Sequence, residues 1–222
     1  MPNSAPRIDV PEGVRTCGEA LAAAGGRVFL VGGAVRDTLL ERKVKDYDLE
    51  VFGLSAPAVL EALARVARVE PAGDAFPVFK VASLPGVTGQ IDVALPRRDS
   101  KKGPGHRGIH AEADPFMPVE EAARRRDFTI NAMMFDLASG ALADPYGGAR
   151  DLEARVLRVV DPSTFTDDPL RALRAAQFAA RFELRVEPAT ARLCASMPLG
   201  ELPPDRIFGE IEKALLQARR PS

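Results

Sequence analysis

The chain has 222 residues, 46% of them hydrophobic and 27% charged, and its formal net charge is −1. This composition is ordinary for a soluble globular protein, with room for one medium domain and a smaller appendage. No run approaches the ~18 apolar residues of a membrane span, and the N-terminus lacks a secretion signal, so we expect a cytoplasmic protein without a membrane partner. Cys17 and Cys194 lie far apart with no histidine nearby, which predicts reduced thiols.

The first predicted segments are a tail followed by alternating helices and strands. They are a loose tail over residues 1–10, a helix over 11–24, a strand over 29–31, a helix over 34–40 and a strand over 46–52. Gly32 and Gly33 follow the first strand, where glycine lets the backbone approach a phosphate closely. The start of the next helix offers free N–H groups, and Arg36 one turn further on can pair with phosphate oxygens.

Two carboxylates stand on the second strand. Asp46 and Asp48 are two residues apart, so their side chains point to the same face with Cα atoms roughly 6–7 Å apart. Carboxylates at that spacing can share Mg²⁺ ions, which prefer oxygen ligands and assist phosphoryl transfer. An isolated Asp-x-Asp is also typical of a solvated strand face. Its combination with a strand, two glycines and a short helix favours the functional interpretation.

This run resembles the first motif of the class II tRNA nucleotidyltransferases (the CCA-adding enzymes) and of the bacterial poly(A) polymerases. That motif reads LVGG-x-VRD-x-LL followed by Asp-x-Asp. The resemblance implies an α+β fold: a polymerase-beta-like nucleotidyltransferase head with a mixed, mostly antiparallel sheet flanked by helices, then an all-helical neck. We expect an N-terminal tail and helix over residues 1–26, the head over 27–160 and the neck over 161–222.

A helix from Ser55 precedes a predicted hairpin with strands over residues 79–84 and 90–95. Asp92 lies on its second strand, where the family also has an acidic residue. It could bind metal, help to deprotonate the attacking hydroxyl, or serve only the structure.

Residues 97–117 show no periodicity and predict a long loop, either a substrate-positioning lid or a disordered insertion. Basic residues cluster there and again at 124–126, and such clusters engage phosphates or simply face solvent. His106 and His110 are too few for a metal site and are interpreted as loop residues.

A second motif follows a charged helix over residues 119–126. The sequence RRDFTINA resembles the family's second motif, which implies that Arg126 contacts the nucleotide phosphates while Asp127 and Asn131 order the ribose and the site. Without the family, Arg126 and Asp127 are a surface pair and Asn131 is a buried amide. A hairpin over 133–137 and 141–143, a third motif (DP-x-GG-x-x-DL) over 144–152 and a strand over 156–160 complete the predicted head.

The predicted neck begins with a helix over residues 167–182, capped by Thr166 or Asp167. Asp168, Arg171 and Arg174 are spaced so that their heads can converge. They match the family's Glu-Asp-x-x-Arg motif, which implies that Asp168 and Arg171 read the Watson–Crick edge of CTP or ATP. The alternative is an intrahelical ion pair worth ~0.3–0.5 kcal/mol. Gln177 replaces a common family arginine, which removes one expected phosphate contact.

Two more helices, over residues 188–196 and from 203 onward, complete the prediction, and the last resembles the family's fifth motif. Family members continue beyond this point into body and tail domains, so we expect a head-and-neck part of a longer protein, with weak tRNA affinity.

The predicted activity is Mg²⁺-dependent addition of C and A from CTP and ATP to the 3′ end of tRNA. Gly33, Arg36, Arg126, Arg171 and Arg174 would hold the nucleotide. The alternatives are poly(A) addition, addition of only CC or only A, and a non-catalytic nucleotide- or RNA-binding module.

Overall fold

The structure is a computed structural model that describes residues 8–73, 77–82, 84–101, 109–200 and 202–217, without the side chains of 99–101 and 109–111. The helices are α1 (Glu12–Ala23), α2 (Gly33–Leu39), α3 (Ala56–Ala64), α4 (Val119–Arg124), α5 (Gly148–Glu153), α6 (Pro162–Phe165), α7 (Leu170–Phe182), α8 (Pro188–Ala195) and α9 (Pro204–Gln217). The strands are β1 (Arg27–Val31), β2 (Tyr47–Phe52), β3 (Val69–Ala72), β4 (Val78–Val81), β5 (Ile91–Ala94), β6 (Arg97–Lys101), β7 (Ile109–Ala113), β8 (Met134–Asp136), β9 (Leu142–Ala143), β10 (Val156–Leu157) and β11 (Arg185–Val186).

The chain packs as two units whose segments alternate along the sequence. The first unit comprises Met1–Arg98, Ala111–Ala123 and Met133–Pro145, and the second comprises Asp99–His110, Arg124–Ala132 and Tyr146–Ser222. The division into a tail, a head and a neck at residues 26 and 160 remains a prediction.

A seven-stranded sheet forms the centre of the first unit, in the order β3-β4-β5-β2-β1-β8-β9. Its pairings are antiparallel except for β2 with β5, which run parallel. The predicted mixed, mostly antiparallel sheet is therefore confirmed. The β2–β5 connection passes through α3, β3 and β4, since parallel neighbours cannot be joined by a tight turn.

One face of this sheet carries the apolar core. Leu30, Leu49, Val93 and Phe79 are cross-strand partners on β1, β2, β5 and β4, and all four are buried. Each such side chain contributes about 1.5–3 kcal/mol when it is fully removed from water. Helix α1 packs against β1 and α3 in this unit. The face opposite these apolar partners is the more polar one, and it carries Asp48 and Asp92.

Glu50 is buried although it shares the predicted face of Asp48. Its alternation with Asp48 places it on the polar side of β2, yet it is only 2% exposed. Its cross-strand neighbour is Phe29, whose own neighbour on β8 is Asp136. Alternation along one strand assigns a face but does not reveal which part of that face is covered.

The predicted loop over residues 97–117 is wrong in two segments, because β6 and β7 pair there as a two-stranded ribbon. The β6 sequence RRDSK has no apolar alternation, and the alternation in the β7 sequence IHAEA extends over only five residues. Arg98 on β6 pairs with Asp114, at 2.8 Å, and with Glu121 on α4. His110 lies in β7, and His106 lies outside the described residues.

The second unit is mainly helical, with a short parallel ribbon of β10 and β11 and a 3₁₀ turn over Thr129–Asn131. Phe128 packs edge-to-face against Phe165 and Phe178, with ring centroids 5.6 Å apart in both pairs. The sequence did not predict α5, α6 or β11, because elements of two to six residues leave little periodic signal. No helix in the described part of the chain combines the length and the apolar composition of a membrane span.

We expect acid to weaken the first unit through Asp136. Burial opposes ionisation of this carboxyl, but hydrogen bonds from Arg27 (2.9 Å) and from the Ser139 and Ala138 N–H groups outweigh it and lower the pKa of Asp136 below 3.8. A carboxyl with a depressed folded-state pKa contributes stability above pH 3.8 and loses it as the pH falls through the folded-state pKa. Urea unfolding at pH 6 and pH 3 should therefore show a shallower pH dependence for Asp136→Asn than for the wild type; equal dependences would contradict this account.

Candidate active site

The glycine bend after β1 is the first predicted site feature. Gly32 has φ of 67° and ψ of −130°, a backbone conformation that residues other than glycine rarely adopt. Arg36 is buried, and its guanidinium donates to Asp37 at 2.7–2.8 Å. One terminal nitrogen of Arg36 lies 3.4 Å from where a Cβ on Gly33 would be. The arginine head therefore lies against the bend, already paired with Asp37, and a phosphate would have to share it.

The carboxylates lie on the polar face of the same sheet. Strand β2 begins at Tyr47, so Asp46 immediately precedes the strand instead of starting it as predicted. Asp48 and Asp92 are direct partners on the parallel strands β2 and β5, which places their backbones about 4.8 Å apart. The same row continues through Lys80 on β4 to Glu70 on β3.

Solvent reaches this row. Asp46 and Asp48 are exposed and Asp92 is half-buried, but Asp46 is anchored, because it accepts a hydrogen bond from the Gln90 backbone N–H at 3.1 Å. A cavity of about 520 Å³ opens beside Asp46, and Lys80 and Gln90 contribute to its lining. The acids are thus accessible to a ligand from the polar face of the first unit.

The donor set fits a hard divalent cation. Among the described residues no three His, Cys, Asp or Glu side chains form a ready-made metal cluster. Two exposed carboxylates and a third on the adjacent strand supply only oxygen ligands, and Mg²⁺ is commonly held by one or two carboxylates while it retains waters and substrate phosphates. The geometry is that of an open site, completed by the ligand.

In the second unit, Asp127 is the centre of a buried polar network. One carboxylate oxygen accepts from the Asn131 side chain (2.9 Å) and the Phe128 N–H (2.8 Å), and the other accepts twice from Arg174 at 2.8 Å. Burial opposes ionisation, but attraction to Arg174 and these hydrogen bonds outweigh it and lower the pKa of Asp127. Asp127 therefore holds the Asn131 and Arg174 side chains, and its role in ordering a nucleotide site stays a prediction.

Arg174 is engaged on more than one side. Besides Asp127, it lies 3.9 Å from Glu210 and 5.0 Å from the centre of the Phe178 ring. Burial lowers the pKa of Arg174, but the charges of Asp127 and Glu210 outweigh that effect and raise it. In this structure its contacts tie α7 to α9, and a role in holding the nucleotide stays a prediction.

Asp168, Arg171 and Arg174 bind separate partners and form no hydrogen bond with one another. Their predicted convergence on a nucleotide stays a prediction. Asp168 precedes α7, whose N-cap residue is Pro169, so neither Thr166 nor Asp167 caps the helix; instead the Asp168 carboxylate accepts from the Leu170 N–H at 3.1 Å. Its other oxygen accepts from Arg206 at 3.1 Å.

Arg171 donates to the backbone carbonyls of Thr164 and Arg125, each at 2.9 Å. The alternative of an intrahelical ion pair is not seen either. The charged groups of Asp168, Arg171 and Arg174 each have different partners. Most of these partners lie on segments around α7 that are distant in sequence, so helical spacing could not indicate them.

The remaining predicted residues are placed as follows. Arg126 is half-buried and Asn131 is buried. Gln177, which stands where the family often has arginine, is 2% exposed, and its amide nitrogen has no hydrogen-bond partner among the described residues. A buried donor without a partner is costly, so this position is a weak point of α7.

Sequence reasoning missed three polar residues that support this unit. Asp151 of the third motif is buried, accepts from Thr129 at 2.8 Å and pairs with Arg158 at 3.0 Å. Arg206 and Glu210 of the fifth motif reach Asp168 and Arg174. Their positions in recognisable motifs were the available signal, but the partners lie too far along the chain for spacing to reveal them.

The sheet, the glycine bend and the acid row agree with a known family. The family model of the poly A polymerase head domain matches residues 28–158. The chain belongs to this family. The expected fold class, a nucleotidyltransferase head accompanied by a helical part, is therefore confirmed.

Relatives within and around the family share much of the chain. The multifunctional CCA protein of Stenotrophomonas maltophilia (strain K279a) is 47% identical over 200 residues, which cover 87% of this chain and 47% of that protein. The Thermotoga maritima CCA-adding enzyme complexed with tRNA is 32% identical, with a TM-score of 0.75 over 93% of this chain and 47% of that chain. The present chain spans about half the length of these relatives.

Two further solved structures contain nucleotides. A CCA-adding enzyme with CTP matches with a TM-score of 0.74, and one with ATP matches with a TM-score of 0.76. Each is 32% identical and each match covers 93% of this chain, with 48% and 46% of the respective structures covered.

Proposed function

We propose that this chain is the nucleotidyl-transferring part of a tRNA nucleotidyltransferase, which adds C and A from CTP and ATP to the 3′ end of tRNA with release of pyrophosphate. The observation that supports this most is the side-by-side placement of Asp48 and Asp92, with Asp46 two residues earlier, on a sheet whose neighbouring strand ends in the glycine bend. The named relatives support the choice of tRNA, CTP and ATP as substrates. A cytoplasmic location is part of the same proposal.

The proposed metal ligands and the glycine bend lie in the first unit. Asp46 and Asp48 would hold Mg²⁺, which when bound stabilises negative charge on the attacking and leaving oxygens of an in-line displacement. Asp92 lies beside Asp48 and is the candidate to accept the proton of the attacking 3′ hydroxyl. Gly32 and Gly33 allow the triphosphate to approach the backbone, and Arg36, lying against the bend, donates to it.

Base selection is assigned to the second unit. A carboxylate accepts from the exocyclic amine that C and A share, and a guanidinium donates to ring acceptors. Asp168 and Arg171 supply this pair; each retains hydrogen-bonding capacity beyond its observed contacts, since a carboxylate offers about four acceptor sites and a guanidinium five donors. Arg126 is assigned to the phosphates, and Asp127, Asn131 and Arg174 keep this surface ordered.

The test measures nucleotide binding and transfer separately. Calorimetric titration of CTP, ATP and GTP with and without Mg²⁺ should give metal-dependent binding of CTP and ATP only, lost in Asp48→Ala. Incubation with tRNA ending before CCA, and with each nucleotide alone or both together, should give short additions that stop after CCA. Absence of metal-dependent nucleotide binding would instead favour a non-catalytic binding module.

Poly(A) addition is the second candidate, because the matching family model describes a poly A polymerase head. The same assay separates the two activities. Long products from ATP alone, formed without a requirement for CTP, would identify poly(A) addition, and products limited to CC or to a single A would identify a partial activity.

A further inference from the structure

We infer that Gly89 and Gln90 are positioning residues, a clasp that fixes the Asp46 and Asp92 carboxylates for the metal. This inference rests on the proposed function, in which Asp46 holds the metal. It adds that Asp92, beside Asp48 on the neighbouring strand, contacts the same ion. The clasp is the segment between β4 and β5, and each of its two residues contributes by a different contact.

Gln90 reaches both acids at once. Its backbone N–H donates to Asp46 Oδ1 at 3.1 Å, and its side-chain amide donates to Asp92 Oδ1 at 2.5 Å. Its carbonyl accepts from the Tyr47 N–H at 2.8 Å, which holds the start of β2 against the start of β5. One residue therefore links the acid before β2 with the acid on β5.

Gly89 makes the close approach possible. A Cβ at this position would lie 2.5 Å from Asp46 Oδ1 and would also overlap the Lys45 backbone. The clash involves backbone atoms as well as the carboxylate, so any larger residue would displace Asp46 or pull Gln90 out of hydrogen-bond range. The requirement for glycine arises from space, and it acts on a carboxylate that the metal needs.

The clasp matters because Asp46 lies outside the strand. It precedes β2 and its side chain is exposed, so packing does not select its rotamer. The hydrogen bond from Gln90 does so, and the amide donor on Asp92 Oδ1 leaves Oδ2 for the metal or for a proton. Groups that orient metal ligands without touching the ion typically change metal affinity about 10–100-fold when removed.

Mn²⁺ binding, followed by electron paramagnetic resonance without nucleotide or RNA, tests the clasp. Gly89→Ala and Gln90→Leu should each weaken Mn²⁺ binding by about 10-fold or more. Gly209→Ala, where an added Cβ meets no atom within 4 Å, and Gln217→Leu, on the exposed end of α9, are the matched controls and should bind as the wild type does.

Double variants separate positioning from a general structural effect. In an Asp46→Asn background Gly89→Ala should cause no further loss of Mn²⁺ affinity, and Gln90→Leu should likewise add nothing to Asp92→Asn. In the inference each substitution affects the metal only through that one carboxylate. Losses that persist in these backgrounds would overturn the inference, as would wild-type affinity in both single variants. If Gly89→Ala does not fold, Gln90→Leu alone decides.

Failure of the proposed function has a different signature. If the wild type shows no Mn²⁺ binding that depends on Asp48, both the proposed metal site and the clasp are contradicted. If Asp48-dependent binding is present and the clasp variants retain it, only the clasp is overturned.

Discussion

Replacement of Asp48 by asparagine should reduce nucleotidyl transfer by on the order of 10³-fold, equivalent to about 4 kcal/mol of transition-state stabilisation. Asparagine keeps the size of the side chain and removes its charge. Since Asp48 stands on β2 directly beside Asp92, the substitution would leave one oxygen donor in place, uncharged, and weaken its hold on a divalent cation. Single-turnover transfer of C to tRNA under saturating Mg²⁺ is the measurement.

The matched control is Glu61→Gln, which also neutralises an acid. Glu61 is 72% exposed and pairs with Arg65 on α3, and exposed pairs of this kind are worth about 0–1 kcal/mol. The control should transfer C at the wild-type rate, and both variants should melt within a few degrees of the wild type. Transfer by Asp48→Asn within tenfold of the wild type would remove Asp48 from the proposed metal site.

Removal of the Arg174 side chain should cost about 3–5 kcal/mol of folding stability, because it leaves the buried Asp127 carboxylate without its charge partner. Asp127 is 7% exposed and would retain only the donors from Asn131 and the Phe128 N–H. Burial would then raise the pKa of Asp127 instead of being outweighed. Urea unfolding of Arg174→Ala at pH 7 measures the loss.

The sign of the pH dependence gives a second measurement. In the wild type the depressed pKa of Asp127 means that its contribution is present above pH 3.8 and is lost as the pH falls through the lower folded-state value. Arg174→Ala should be relatively more stable in acid, where the orphaned carboxylate becomes protonated. Arg65→Ala, from an exposed pair, is the control and should lose less than about 1 kcal/mol. If Arg174→Ala were as stable as the wild type, the predicted role of Arg174 in folding stability would be wrong, and only its proposed role in the nucleotide site would remain.

Sequence patterns predicted the sheet well because its signals are local. A continuous apolar run around Leu30 predicted the first strand, and alternation around Leu49 and Val93 predicted two further strands and their faces. The face of the β2 acids followed from the alternation around Leu49. Glu50 shows the limit, since its burial depends on Phe29 and on the strand beyond it. The β6 and β7 ribbon was missed for a different reason, because RRDSK has no apolar residue and IHAEA has only one large apolar residue.

The second unit was predicted less well because its polar contacts join distant parts of the chain. Arg174 and Asp127 are 47 residues apart, and Arg206 and Asp168 are 38 apart. Helical spacing proposes partners three or four residues away, whereas the folded chain offers better ones. The identities of the important residues could be inferred from motifs, but which of them pair with each other could not.

The parallel pairing of β2 with β5 affects when the proposed metal site can form during folding. A parallel pair requires a long crossover, so the Asp48 backbone meets that of Asp92 only after about forty intervening residues have been threaded back onto the sheet. Contacts between such distant segments slow folding. In a nascent or partly unfolded chain the two acids would therefore lie apart. The proposed metal site would form late in folding, when the sheet is complete.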